Sequence, residues 1–233
     1  MRFNEQLCDV PSPQGRAHLS DGRERSNFNN TKDENMIITL SGNIASGKST
    51  IGDALAKKLG FKRYSSGALL RQIATERGIT LQELSELAEK NIEIDRTLDQ
   101  RTVELSKKED NFVIDSRLAW HFIPNCVKIY LYAGKKEQVR RIKLDLSKNR
   151  RVEEAINDNK GNKNKQNKSI VDKEILKSIK KREDSEKERY MKYYGINYHQ
   201  KKHYDFWLNT DSCTVEECAD QIIAFLKRKS LLS

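Results

Sequence analysis

Gly42-Asn43-Ile44-Ala45-Ser46-Gly47-Lys48-Ser49-Thr50 follows closely on the apolar run Met36-Ile37-Ile38-Thr39-Leu40 and leads into helix-forming residues from Ile51 through Leu59. The spelling is G-x-x-x-x-G-K-[ST], set in the strand, loop and helix order that a phosphate-binding loop requires. Glycines at the two fixed positions let successive backbone N–H groups converge on a triphosphate without Cβ clashes. Lys48 reaches the outer phosphates as a point charge, and the Ser49 hydroxyl completes a Mg²⁺ shell. The helix that follows presents unpaired N–H groups and its positive dipole end to the same anion. The nine residues from Gly42 to Thr50 are therefore the expected cradle for a nucleoside triphosphate.

Working outward, the chain has 233 residues, enough for one domain with appendages. Charged residues make up 33% and apolar ones 36%, which predicts a sizeable solvated or flexible fraction. Two segments account for most of it. Residues 1–35, with Pro11, Pro13, Gly15 and Gly22 and almost no apolar periodicity, read as a disordered N-terminal extension without a secretory or transit signal. Residues 157–168, Asn-Asp-Asn-Lys-Gly-Asn-Lys-Asn-Lys-Gln-Asn-Lys, read as a mobile low-complexity loop.

Residues 1–35 carry five basic and six acidic side chains, so the net charge of +10 resides in the remainder. Beside a phosphate-binding loop, this balance points to phosphorylated small substrates rather than to nucleic acid. The lysines of residues 157–168 alternate with asparagine and lack aromatic platforms, so no nucleic-acid partner is expected. No run has the apolar length to span a bilayer. The cysteines, Cys8, Cys126, Cys213 and Cys218, show no C-x-x-C pair and no nearby histidine ligands, which suits a reducing, cytoplasmic setting and argues against zinc.

Five candidate strands, Met36–Leu40, Phe61–Ser65, Asn111–Asp115, Val127–Tyr132 and Asp205–Asn209, alternate with helical patterns. That alternation predicts an α/β fold, a parallel sheet covered by helices. Strand C-terminal ends line the ligand crevice of such a sheet. Ser66-Gly67-Ala68-Leu69-Leu70-Arg71 after the second strand and Asp115-Ser116-Arg117-Leu118-Ala119-Trp120 after the third should therefore face the loop, bringing Arg71 and Arg117 to a second anion. Arg182, Glu186 and Arg189 stand at i, i+4 and i+7 on one helix face, either to grip substrates or as solvated ion pairs. Asp115, closing an apolar strand, either orients a Mg²⁺-bound water or caps the following turn. The tyrosines between Tyr190 and Tyr204 are expected to pack as core.

Residues Met36 to about Leu226 resemble the cytidylate kinases of the nucleoside monophosphate kinase family, in their short archaeal-type form. The likeness rests on the loop, on Ser66 to Arg71, on Arg117 to Trp120, and on Arg182 to Arg189 leading into Tyr190-Met191-Lys192-Tyr193-Tyr194-Gly195-Ile196. The resemblance implies a three-layer P-loop NTPase fold, with a five-stranded parallel sheet flanked by helices. It also implies a domain over 36–230 with a helical monophosphate-binding insert at about 66–108 and a lid at about 146–189. It implies that Ser66, Gly67, Arg71, Asp115, Arg117, Arg182, Glu186 and Arg189 contact CMP or dCMP, that ATP with Mg²⁺ is the donor, and that the protein is a monomer. Lys48, Arg117, Arg182 and Arg189 would then neutralise the moving phosphoryl group. Ser116 stands where the family usually has glycine, and Leu118 where the bacterial branch has a base-reading aspartate. A deoxynucleoside kinase is the nearest rival, since the same loop spelling is common there.

Overall fold

The computed structural model describes residues 36–156 and 167–232. The expectations for residues 1–35, and for the low-complexity segment as far as residue 166, lie outside the described residues. The strands are β1 (Ile37–Gly42), β2 (Lys62–Ser65), β3 (Phe112–Asp115), β4 (Val127–Tyr132) and β5 (Phe206–Asn209). All pair in parallel, in the order β2-β3-β1-β4-β5. The helices are α1 (Lys48–Leu59), α2 (Ser66–Glu76), α3 (Leu81–Lys90), α4 (Ile92–Lys108), α5 (Ala119–Phe122), α6 (Lys135–Ile156), α7 (Asn167–Tyr194) and α8 (Val215–Arg228), with one 3₁₀ turn at Lys201–His203.

The central position of β1 explains its largely apolar sequence, broken only by Thr39 and Ser41: all six residues are buried, as befits a strand covered on both faces. Strand alternation sends Ile38 and Leu40 to one side, where Leu55 of α1 and Ile222 and Leu226 of α8 meet them. On the other side Ile37, Phe112 and Ile114 pack with Ala119 and Ile123. Side chains such as Ile38, Leu40 and Leu55, wholly removed from solvent, contribute about 1.5–3 kcal/mol each. An aromatic cluster built on Trp120, Tyr130, Tyr190 and Tyr198 continues this second layer, with Tyr194 and Tyr204 packed against it, so of the tyrosines between Tyr190 and Tyr204 all but Tyr193 join the core as the sequence suggests. Leu118 packs in the same cluster and is 4% exposed.

Helices α2, α3 and α4 enclose a small core of their own from Ile73, Ala74, Leu84, Ala88 and Ile94. Of the four apolar positions at helical spacing in α3, Leu84 and Ala88 are buried while Leu81 and Leu87 lie on the exposed side. Helix α8 buries Cys218, Ile222 and Phe225. The reading of the cysteines needs correction: Cys213 and Cys218 form a disulfide, because the turn from β5 into α8 brings their Cα atoms to 5.9 Å. Cys126 is a free thiol. Among the described residues no helix is long and apolar enough to cross a membrane.

Candidate active site

Three strand ends, of β1, β3 and β4, meet where the glycine-rich loop leaves the sheet. Gly42 has φ 151°, and a Cβ there would lie 2.2 Å from the Leu131 carbonyl oxygen, so only glycine lets the loop start so close to β4. Gly47, in the left-handed region, caps α1 without a side chain, and the first turn of α1 holds no acidic residue. Its N–H groups thus stay available to an anion. The Asn43 amide fixes the loop to β4, donating to the Ala133 carbonyl at 2.7 Å and accepting from the Ala133 N–H at 2.9 Å. Arg141 of α6 donates to the carbonyls of Ala45 and Thr210, and the Thr210 hydroxyl donates to the Ser46 carbonyl. Gln138 donates to the Ile44 carbonyl at 2.8 Å, and the Ile44 N–H points at Glu183 of α7 at 3.4 Å. Helices α6 and α7 therefore touch the crown of the cradle directly.

Lys48 lies over this loop, donating to the carbonyls of Gly42 at 3.1 Å and Asn43 at 2.7 Å and to Ser46 Oγ at 3.2 Å. Burial, and then the Arg117 guanidinium, push its amine well below the usual lysine range. The Ser49 hydroxyl donates to Asp115 Oδ2 at 2.8 Å, and a second donor, Arg63 Nη2, reaches the same oxygen at 2.7 Å. Asp115 therefore faces the loop rather than its own turn, which is capped by Ser116 Oγ accepting from the N–H groups of Leu118 and Ala119. Ser66 spends its hydroxyl on the Asp115 carbonyl at 3.0 Å. Gly67 and exposed Arg71 follow in α2, and Arg71 lines a cleft of about 460 Å³ together with Ser49, Arg63, Tyr64 and Ser65.

A second centre of charge forms around Glu186 of α7. Its carboxylate accepts from Arg117 Nε at 2.8 Å, Arg182 Nε at 3.1 Å and the Tyr198 hydroxyl at 3.1 Å. Burial alone would raise this carboxyl, but Arg117 and Arg182 more than reverse the effect and hold it at about 2. Arg117 and Glu186 are only 16% and 11% exposed in their side chains, so this is a buried charge pair that fixes the guanidinium in place. Arg189, one turn further along α7, pairs with Asp95 of α4 at 3.0 Å. Beside it the Tyr194 hydroxyl donates to Asp99 at 2.5 Å. Burial pushes the Asp99 carboxyl up to about 7, against the Tyr194 hydrogen bond and with help from Asp95.

Lys48, Arg117, Arg182 and Glu186 thus gather on one side of the cradle, Arg189 turns toward α4, and Arg71 stands at the Ser49 side. The profile of the cytidylate kinase-like family matches residues 37–212, three quarters of the chain. The chain belongs to the cytidylate kinase-like family. Among its relatives in that family, the cytidylate kinase of Archaeoglobus fulgidus is 32% identical over 197 residues, 84% of this chain and 97% of that protein. The cytidylate kinase of Methanobrevibacter smithii is 33% identical over 192 residues, 82% of this chain and 99% of its own length. Shikimate kinase from Acinetobacter baumannii, solved with shikimate, has the same fold with a TM-score of 0.52 at 16% identity, over 84% of this chain and 96% of that one.

Sequence reasoning missed several residues that build this member of the family's site. Arg63, Gln138 and Arg141 act on partners remote in the chain and stand in no spelled motif, while Glu183, within the Arg182 to Arg189 stretch, and Tyr198, among the tyrosines expected as core, reach Ile44 and Glu186. One signal was available: a basic residue inside a short strand that ends on Ser65-Ser66 has an unusual need for a buried partner.

Proposed function

We propose that the protein transfers the γ-phosphoryl group of ATP to CMP or dCMP, giving ADP and the cytidine diphosphate. The single observation that carries this reading is the convergence of Lys48, Arg117 and Arg182 beside a glycine-lined cradle, the arginines held by Glu186. The names of the archaeal relatives support the cytidine acceptor. On this reading the loop from Gly42 to Thr50 binds the donor triphosphate at the N-terminus of α1. Arg71, Arg117, Arg182, Arg189 and Glu186, with Ser66 and Gly67, bind the acceptor nucleotide.

An oxygen of the CMP phosphate attacks the γ-phosphorus in line, and the bond from that phosphorus to the oxygen bridging it to the β-phosphate breaks. ADP departs with the electron pair. No dedicated base is needed, because a phosphate monoester dianion is already a competent nucleophile. The residues contribute alignment and charge neutralisation. Glu186 keeps the Arg117 and Arg182 forks oriented, so they need little reorganisation when negative charge arrives. The Ser49 hydroxyl and the Asp115 carboxylate, 2.8 Å apart, are hard oxygen donors that fit Mg²⁺. When bound, the ion offsets charge on the β- and γ-phosphates. Residues from about 146 to 189 act as a lid that excludes water. The protein acts as a cytoplasmic monomer on small nucleotides.

The full chain in a coupled ADP-release assay with ATP and a panel of CMP, dCMP, UMP, AMP and cytidine tests this. CMP and dCMP are expected to give at least tenfold higher kcat/KM than UMP or AMP, with no turnover of cytidine. Preferential turnover of cytidine would replace the reading with a nucleoside kinase.

A further inference from the structure

Arg63 is charged, sits in a four-residue strand, and leaves only 17% of its side chain exposed. Alternation along β2 puts its neighbour Tyr64 on the opposite face, edge-on to Phe112 at 5.5 Å, and turns Arg63 toward α1. There Nη2 meets Asp115 Oδ2 at 2.7 Å, Nε lies 3.2 Å from Asp53 Oδ1, and Nη1 donates to the Tyr64 carbonyl. The guanidinium lies across Gly52 in the middle of α1. A Cβ at that position would stand 2.7 Å from Arg63 Nε and 3.2 Å from Leu40 Cδ1, so the absent side chain makes the slot. Glycine inside a helix costs about 0.5–1 kcal/mol against alanine, and here it leaves room for a guanidinium.

We propose that Arg63 is a positioning residue that sets how tightly the site holds a divalent cation, by sharing the Asp115 carboxylate with it. This rests on the reading that Asp115 and Ser49 hold Mg²⁺. The Ser49 hydroxyl and the Arg63 guanidinium reach the same oxygen of the Asp115 carboxylate, Oδ2. A dication drawn to that carboxylate meets a fixed positive charge in a region where screening by water is poor. Bare metal is therefore disfavoured, while metal that arrives with a polyphosphate brings negative charge that offsets Arg63. The arginine thereby couples metal occupancy to nucleotide occupancy. It also orients Asp115 without a metal through the bond from Nη2 to Oδ2, while Asp53 and the Tyr64 carbonyl hold the other guanidinium nitrogens in place.

The test is Mn²⁺ binding to the full chain, followed by the electron paramagnetic resonance signal of free Mn²⁺, without nucleotide and with saturating ADP. Arg63→Gln is expected to tighten binding of Mn²⁺ alone roughly tenfold, equivalent to about 1.4 kcal/mol. Arg63→Lys, which keeps the charge, is expected to stay within about twofold of the wild type. Gly52→Ala, whose methyl group displaces the guanidinium while leaving Arg63 in the chain, is expected to reproduce most of the gain and carries the test if Arg63→Gln folds poorly. Asp115→Asn is expected to weaken Mn²⁺ binding in the ADP complex. If Asp115→Asn weakens binding but Arg63→Gln and Gly52→Ala leave it unchanged or weaker, the inference about Arg63 is overturned while the role of Asp115 stands. Unchanged Mn²⁺ affinity in Asp115→Asn overturns both.

Discussion

Lys48→Ala lowers kcat for phosphoryl transfer by roughly a thousandfold or more, at the upper end of what removing one preorganised charge-stabilising group costs. The lysine Nζ has three loop acceptors at 2.7–3.2 Å, from Gly42, Asn43 and Ser46, so its position is fixed relative to the cradle. Burial and the neighbouring Arg117 already disfavour its charge, and an incoming polyphosphate relieves that penalty. The interaction therefore strengthens as negative charge builds on the transferring group, which raises kcat rather than only lowering KM. Stability should change little, because the β-sheet core lies below the loop. Single-turnover transfer from radiolabelled ATP measures the effect. A kcat within tenfold of the wild type would remove Lys48 from the mechanism.

Arg117→Ala separates the two substrates. Its KM for CMP is expected to rise ten- to a hundredfold, as loss of a charged hydrogen-bond pair worth about 1.5–3 kcal/mol implies, while the KM for ATP stays within about threefold. The variant should also melt earlier. Glu186 keeps only Arg182 and Tyr198, and breaking a buried pair from one side costs up to about 3–5 kcal/mol. Kinetics should be measured well below the melting temperature found by circular dichroism. Equal increases in both KM values would mean that Arg117 supports the fold and does not bind the acceptor.

The glycine-lined loop was legible because a triphosphate tolerates few backbones, so its chemistry is written at fixed spacing. The centre of the sheet was legible because parallel strands buried on both faces, β1 and β3, leave apolar runs, and four of the five strands differ from the expectation by only a residue or two at their ends. The helix carrying Arg182, Glu186 and Arg189 shows where sequence stops short. The Arg182–Glu186 pair is the i,i+4 contact that a solvated helix would also make. What distinguishes it is Arg117, 69 residues earlier in the chain, reaching the same carboxylate inside the protein. For Arg63 the sequence signals only the need for a partner, and that partner, Asp115, lies 52 residues away. The disulfide was missed because the spacing of Cys213 and Cys218 matches no short motif, and only the turn before α8 brings them together. Leu118, standing where the bacterial branch has a base-reading aspartate, packs in the aromatic cluster, a contact that only the fold reveals.

The central claim is that two anion sites adjoin, one at Lys48 and the α1 N-terminus, the other at the arginines gathered around Glu186. A bisubstrate compound, cytidine joined to adenosine through a 5′,5′-pentaphosphate, tests it in one calorimetric titration of the full chain. Tethering makes the second contact intramolecular, so the compound should bind with one-to-one stoichiometry and at least a hundredfold more tightly than CMP, and should compete with both CMP and ATP. Competition with ATP alone, at an affinity no better than that of ATP, would contradict the account.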